Sequence, residues 1–470
     1  VEVFMMDRTW IIPRVIRLSS RLLRPERPTG SAPAYVLVAE RMPIKFAADP
    51  EHPNTMNRLL QSLLVGTLVS GAVSAENWAS WRGPTGDGQS AETRVPVTWS
   101  EGRNIIWKKP FADNGHASPI VWENRMFLIA ANLDRELRQL VCLDADSGKT
   151  VWAKTVVKSP LERKHRLNSW ASSTPATDGQ TVYIAFLDEQ DMVVAAYDFA
   201  GKQKWLVRPG VFSSRHGFCS SPVIWKDKLI VNGDHDGESY IVGLNRQTGK
   251  TLWKTPRPNK TRSYCVPTIY RLSNRNQMVL SGDQSVASYD PDTGRPHWYM
   301  NGPTEQFVAS LVYNPQADLL FMTGGFPEHH IMGLRHAGKG TIADEQVAWH
   351  HTRASWTSYV PSPISEGKYF LIVSDTGYAC CFEARSGELQ WQEKVGPHHA
   401  SLVSANGNVY FLSDKGECRV VKPGPEYQLI AENRLDDKFM ASPAVSNGRI
   451  YLRGERSLYC IGNPTRRASR

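Results

Sequence analysis

An all-β ring of eight blades, each a four-stranded antiparallel sheet, is the fold that this 470-residue sequence predicts. Three observations lead there. Short β-branched and aromatic runs between Gly, Asn and Asp recur along the chain, while helix-favouring stretches are scarce. The phrase "LDADSGKTVW" returns as "YDFAGKQKW", "LNRQTGKTLW", "YDPDTGRPHW" and "FEARSGELQW", ending at Trp152, Trp205, Trp253, Trp298 and Trp391. With Trp107, a degenerate copy at Trp349 and Ile430 in a second degenerate copy, these positions stand about 39 to 53 residues apart, the length of one propeller blade. Finally, a Ser-Pro element and a strongly apolar run travel with the phrase, as in "HASPIVWENRMFLIA" and "CSSPVIWKDKLIVNG".

Composition agrees with a folded, turn-rich chain: 41% apolar, 21% charged, 35 Gly and 30 Pro exclude disordered and collagen-like classes. The formal charge is +9, but residues 1–75 carry nine Lys or Arg and six Asp or Glu, so only +6 remains beyond them. A surplus that mild excludes nucleic acid as the expected partner.

Taken in order, residues 1–55 are Arg- and Pro-rich and read as a disordered upstream extension left by an over-extended reading of the gene. From Met56, "MNRLLQSLLVGTLVSGAVSAENW" has the basic start, apolar centre and small-residue cleavage site of a signal peptide over residues 56–75. The mature chain is therefore expected to be exported, periplasmic or extracellular, without a transmembrane anchor. Residues 76–103 form a lead-in, residues 104–463 the propeller and residues 464–470 a solvated basic tail with Arg466, Arg467 and Arg470.

Each repeat reads as strand A after the Ser-Pro, strand B, strand C, the Asp-x-x-Thr/Ser-Gly turn, and strand D ending in Trp. Eight A strands begin near Pro119, Pro175, Pro222, Pro267, Ser310, Pro363, Ser401 and Pro443. The last unit stops after strand C at "SLYCIGNP", and "NIIWKKPF" near the N-terminus is a strand D without a unit. Pairing of the two closes the ring and removes exposed sheet edges.

The recurring phrase is structural in this scheme. Gly148, Gly201, Gly249, Gly294 and Gly387 serve a hairpin position needing positive φ, Asp144, Asn245 and Asp290 bond turn N–H groups, and Lys149 and Lys250 stay in water. Trp107, Trp152, Trp205, Trp253, Trp298, Trp349 and Trp391 are wedges between blades.

The repeat resembles the PQQ-like β-propeller family, which holds quinoprotein dehydrogenases and the propeller lipoprotein of outer-membrane assembly; "NWASWRGPTGDGQS" is similar to the opening of exported planctomycete-type members. The resemblance covers roughly residues 77 to 463 and implies a fold more sharply than an activity. It implies ligand binding at the face of the D-to-A and B-to-C loops, opposite the recurring turns. There His116, His165, Arg166, Arg215, His216, Arg262, Arg353, His398, His399 and Lys438 form an expected cationic collar, with Trp170, Tyr264, Trp356 and Tyr359 as stacking surfaces. Such a collar suits an anionic ligand such as a tricarboxylate quinone or an acidic peptide.

Asp234, Asp236 and Glu238 in "NGDHDGESY" resemble part of a calcium site, although the spacing is not that of an EF-hand. The histidine pairs at 329/330, 350/351 and 398/399 are not expected to hold metal, since adjacent strand residues face opposite ways. Cys142, Cys381 and Cys460 fill a small-residue slot in strand C. Cys380-Cys381 matches the vicinal cysteines of quinoprotein dehydrogenases in sequence but sits within a strand, and Cys219 with Cys265 is the one pair considered for a disulfide.

Two functions follow. The preferred one is a monomeric scaffold without a cofactor, meeting an envelope protein, peptide or saccharide at the mouth loops. The alternative is a dehydrogenase oxidising an alcohol or sugar with PQQ and calcium.

Overall fold

The computed structural model describes residues 76–463 apart from 112 and 343. The expected upstream extension, signal peptide and basic tail lie outside the described residues.

Eight sheets form the ring. In blade 1 the strands are Ile120–Trp122, Arg125–Asn132, Leu137–Asp144 and Thr150–Lys158, paired in that order. The same antiparallel meander repeats through blade 7, and the degenerate fifth and seventh units keep all four strands. Blade 8 takes its outer strand from Ile105–Pro110, which pairs with Ser457–Gly462 in the register Trp107 to Cys460. Two short strands are added: Gln89–Ser90 runs parallel to Val403–Ala405 of blade 7, and Gly340–Thr341 runs parallel to Pro296–Asn301 of blade 4. Among the described residues no helix is long and apolar enough to cross a membrane.

Strands B and C lie between neighbouring blades, so both faces of their pleat are buried; Met126–Ala131 is buried without a break. Strand D is the rim, and Thr150–Lys158 is exposed along most of its length. This explains why strand B is a continuous apolar run and strand D is not.

The strand D tryptophans sit between blades, and all but Trp298 use the next blade's turn. Trp107 Nε1 donates to Ala145 O at 2.9 Å, and a Cβ on Gly148 (φ 68°) would stand 2.8 Å from the Trp107 ring. Gly148 is thus required twice, for its backbone and for its missing side chain. The pairing recurs as Trp152 on Gly201, Trp205 on Gly249, Trp253 on Gly294 and Trp349 on Gly387. Across the hairpin each tryptophan faces a small residue: Cys142 opposite Trp152, Cys381 opposite Trp391, Cys460 opposite Trp107, and Gly243 opposite Trp253.

Exceptions fall where the next turn is irregular. Trp298 faces degenerate blade 5 and donates instead to Gln277 Oε1 of its own blade. In blade 7 the tryptophan position, opposite Val420 of strand C, is held by Ala431, while Ile430, expected there from the sequence, is exposed; blade 8 beside it draws its C and D strands from opposite ends of the chain and has no turn between them. At that seam the lead-in supplies Trp99, stacked on Tyr410 and anchored by its backbone N–H, which donates to Asn433 Oδ1 at 2.7 Å.

The turn carboxylates and amides act as caps. Asp144 Oδ1 accepts from Ser147 N at 2.8 Å, Asn245 Oδ1 from Thr248 N at 3.0 Å, and Asp290 Oδ1 from Thr293 N at 3.2 Å.

Candidate functional site

Each strand A opens with a small residue just ahead of the strand, and in seven blades it carries a hydroxyl. These hydroxyls stitch the blades together at the axis. Ser118 N donates to Thr174 Oγ1 at 3.0 Å, Thr174 N to Ser221 Oγ at 2.9 Å, Ser310 N to Ser362 Oγ at 3.0 Å, Ser362 N to Ser401 Oγ at 3.0 Å, and Ser401 N to Ser442 Oγ at 2.9 Å. Blade 4 has Val266 at this position, and Ser310 Oγ turns back to its carbonyl at 2.7 Å.

Two residues earlier in the extended chain, the side chain faces the axis again. His116, Ser172, Cys219 and Tyr264 come from blades 1 to 4, and Val308, Val360, His399 and Met440 from blades 5 to 8. Together with the hydroxyl tier, Leu167, Asn168 and Trp81, they line a central cavity of about 140 Å³.

Trp81 belongs to the lead-in, which closes the far end. Glu76 O accepts from Ser446 Oγ, Trp78 O from Val121 N and Ala79 O from Thr177 N, at the lower ends of the A strands of blades 8, 1 and 2. Arg82 crosses to blades 6 and 7, where its Nη2 donates to Pro363 O and Leu402 O. Its guanidinium is buried without a carboxylate partner, and burial lowers its pKa to about 10. The "WRGPTG" stretch is therefore a plug, and the channel is a blind shaft open toward the mouth loops.

Of the expected collar, the shaft collects His116, Tyr264 and His399. Burial, reinforced by the charges of Arg453 and Lys164, lowers His116 to about 4, so it is neutral. Burial also opposes charge on His399, but its hydrogen bond to Asp414 Oδ2 at 2.7 Å outweighs this and raises its pKa. The Tyr264 hydroxyl lies 2.7 Å from Ser214 Oγ and 2.8 Å from His216 Nδ1, and burial pushes its pKa up. Tyr359 stands beside the shaft, with its hydroxyl 3.4 Å from Gln306 Oε1.

The other collar residues do not converge. Arg262 is buried and paired with Asp236 at 2.8 Å and Glu305 at 3.3 Å, and Lys438 pairs with Glu455 at 3.5 Å. Trp170 packs at the seam of blades 1 and 2 under Lys164, and Trp356 at the seam of blades 5 and 6 under Arg353. His398 is buried, with Nδ1 2.6 Å from Gly396 O, and His165 meets His216 edge-on. Arg166 and Arg215 stand exposed, in no ion pair among the described residues.

The three loop carboxylates diverge. Asp234 is fully buried against Arg257 (2.8 Å), Asp236 takes Arg262, and the exposed Glu238 takes Lys260, so they build no common oxygen cage. All seven cysteines are free thiols, Cys219 and Cys265 included; burial raises Cys219 to about 12, which removes it as a thiolate nucleophile. Across the sheet, His330 Nδ1 lies 2.9 Å from His350 Nε2 on the neighbouring strand.

A tricarboxylate quinone does not fit these residues. No Lys or Arg lines the cavity, and its volume lies below the roughly 300 Å³ at which pockets for cofactor-sized ligands begin.

The sequence missed Trp81 and the shaft walls Leu167, Asn168, Val308, Val360 and Met440. The ring of eight was nonetheless legible, two residues before each strand A opening. Trp81 had no such signal, since the lead-in occurs once.

The family model for outer membrane protein assembly factor BamB matches residues 92–205, 138–311 and 282–423. Among solved structures, BamB from Moraxella catarrhalis is similar at 14% identity, covering 76% of this chain and 99% of that one with a TM-score of 0.55. Quinohemoprotein alcohol dehydrogenase from Comamonas testosteroni is similar at 12% identity, covering 84% of this chain and 82% of that one with a TM-score of 0.58. At these identities the two show the fold alone. No curated sequence matches the chain.

Proposed function

This chain belongs to the family of the outer membrane protein assembly factor BamB, and from that premise we propose that it is an exported binding or assembly scaffold whose mouth loops contact an envelope protein or peptide. The observation that supports this reading most is the contrast between a narrow blind shaft and the exposed rim around it. In the D-to-A loops, Arg166 and Arg215 stand exposed without ion-pair partners among the described residues. Guanidinium groups held on adjacent loops form bidentate bonds with carboxylates and suit an acidic segment lying across the rim. The shaft itself offers two imidazoles, a phenol and hydroxyls, but no converging acid and base.

A photo-crosslinking residue at Arg166 or Arg215, compared with one at Lys149 or Lys250 on the opposite face, tests the reading. Envelope proteins captured from the rim positions, and not from the turn positions, are the expected result. Equal capture from both faces, or none from either, overturns it.

A further inference from the structure

We propose that His116, Met440 and His399 form a binding site for a single copper(I) ion in the central shaft. The three occupy the same ring position in blades 1, 8 and 7, two residues before Ser118, Ser442 and Ser401. Closure of blade 8 onto the N-terminal strand makes these blades consecutive, so the three side chains form one arc of a single tier and line one cavity. His116 lies close enough to His399 to feel its charge.

The His399 imidazole is oriented as a ligand. Asp414 accepts at Oδ2 from His399 Nδ1 (2.7 Å), and a carboxylate can only accept, so the proton is on Nδ1 and the lone pair is on Nε2. Carboxylate or carbonyl support of the second ring nitrogen is the usual setting of a metal-binding histidine. Met440, from the blade between those of His116 and His399, adds a thioether to the same cavity lining.

The donor set selects the metal. Among the described residues no three His, Cys, Asp or Glu side chains converge, so a tetrahedral zinc site is not built. A thioether is a poor ligand for zinc, calcium and magnesium, whereas soft sulfur beside imidazole favours copper(I). The fold does not require these side chains, because blades 5 and 6 fill the same position with Val308 and Val360.

The test titrates the full chain with copper(I), under reductant and without oxygen, against a chromophoric copper(I) chelator. X-ray absorption at the copper edge reads the ligands. One tightly held ion per chain, with two nitrogen neighbours and one sulfur neighbour, is expected. Met440→Leu, which preserves volume, should abolish the sulfur signal and weaken binding at least about tenfold. Asp414→Asn should weaken it about 10- to 100-fold. Retained stoichiometric binding with an undiminished sulfur signal in Met440→Leu would mean capture by a cysteine and overturns the proposal, as does equal competition by zinc. Failure of the wild-type chain to hold copper against the chelator overturns it as well. Should Asp414→Asn fail to fold, Met440→Leu alone decides.

Discussion

Substituting Gly148 by alanine separates the two demands made on the recurring turn. At φ 68° an alanine costs roughly 1–2 kcal/mol from backbone sterics. Its Cβ would also stand 2.8 and 2.9 Å from Cε3 and Cδ2 of Trp107, and forcing a methyl into packed surroundings costs about 1–3 kcal/mol more. Gly407 is the internal control, with φ 69° and no atom within 4 Å of the added Cβ. Gly148→Ala should therefore cost about 2–5 kcal/mol and Gly407→Ala only the first part. Urea denaturation followed by tryptophan fluorescence measures both. Repeating Gly148→Ala in a Trp107→Leu background should recover the steric part as a coupling of about 1–3 kcal/mol. Equal costs at Gly148 and Gly407, or no coupling with residue 107, would refute the wedge.

Ser362→Ala should cost about 1–3 kcal/mol by the same assay, because the buried Ser310 N–H loses its acceptor. Asp234→Ala leaves the buried Arg257 guanidinium without its counter-ion and should cost about 3–5 kcal/mol, whereas Glu238→Ala on the exposed Lys260 pair should be nearly silent. Acid should weaken the fold through His330 and His350. Burial lowers both below the ordinary imidazole value of 6.5, so their contribution is complete above 6.5 and is lost as pH falls through the lowered values. His350→Asn should flatten the decline in urea midpoint between pH 7.5 and about pH 5, and an unchanged slope would count against the pair.

Much of this architecture was legible because it repeats. Eight hydroxyl-bearing or Val openings and seven tryptophans set the blade count, and the orphan "NIIWKKPF" set the closure. The shaft is legible only in one position compared across all eight units, where the residue types differ and most carry no charge. Pairing of the cations was hidden, since Arg262 meets Asp236 and Glu305 from two different loops. The His330–His350 contact was missed because strand neighbours, not chain neighbours, share a face. Trp81 and Arg82 had no periodicity to reveal them.

Blade 8 joins the two ends of the ring: Arg453 donates to Asp113 O across 340 residues of chain. A chain synthesised from its N-terminus makes the Ile105–Pro110 strand first and its partner Ser457–Gly462 last. For the whole interval the early strand has nothing to pair with, and the seven completed blades have an open edge at either end. Bringing such distant segments together is slow, because the loop-closure entropy must be met before any contact offsets it. The latch is thus also a clock: release before the final strand emerges leaves a stack of blades that is folded, open-ended and able to pair with a second copy.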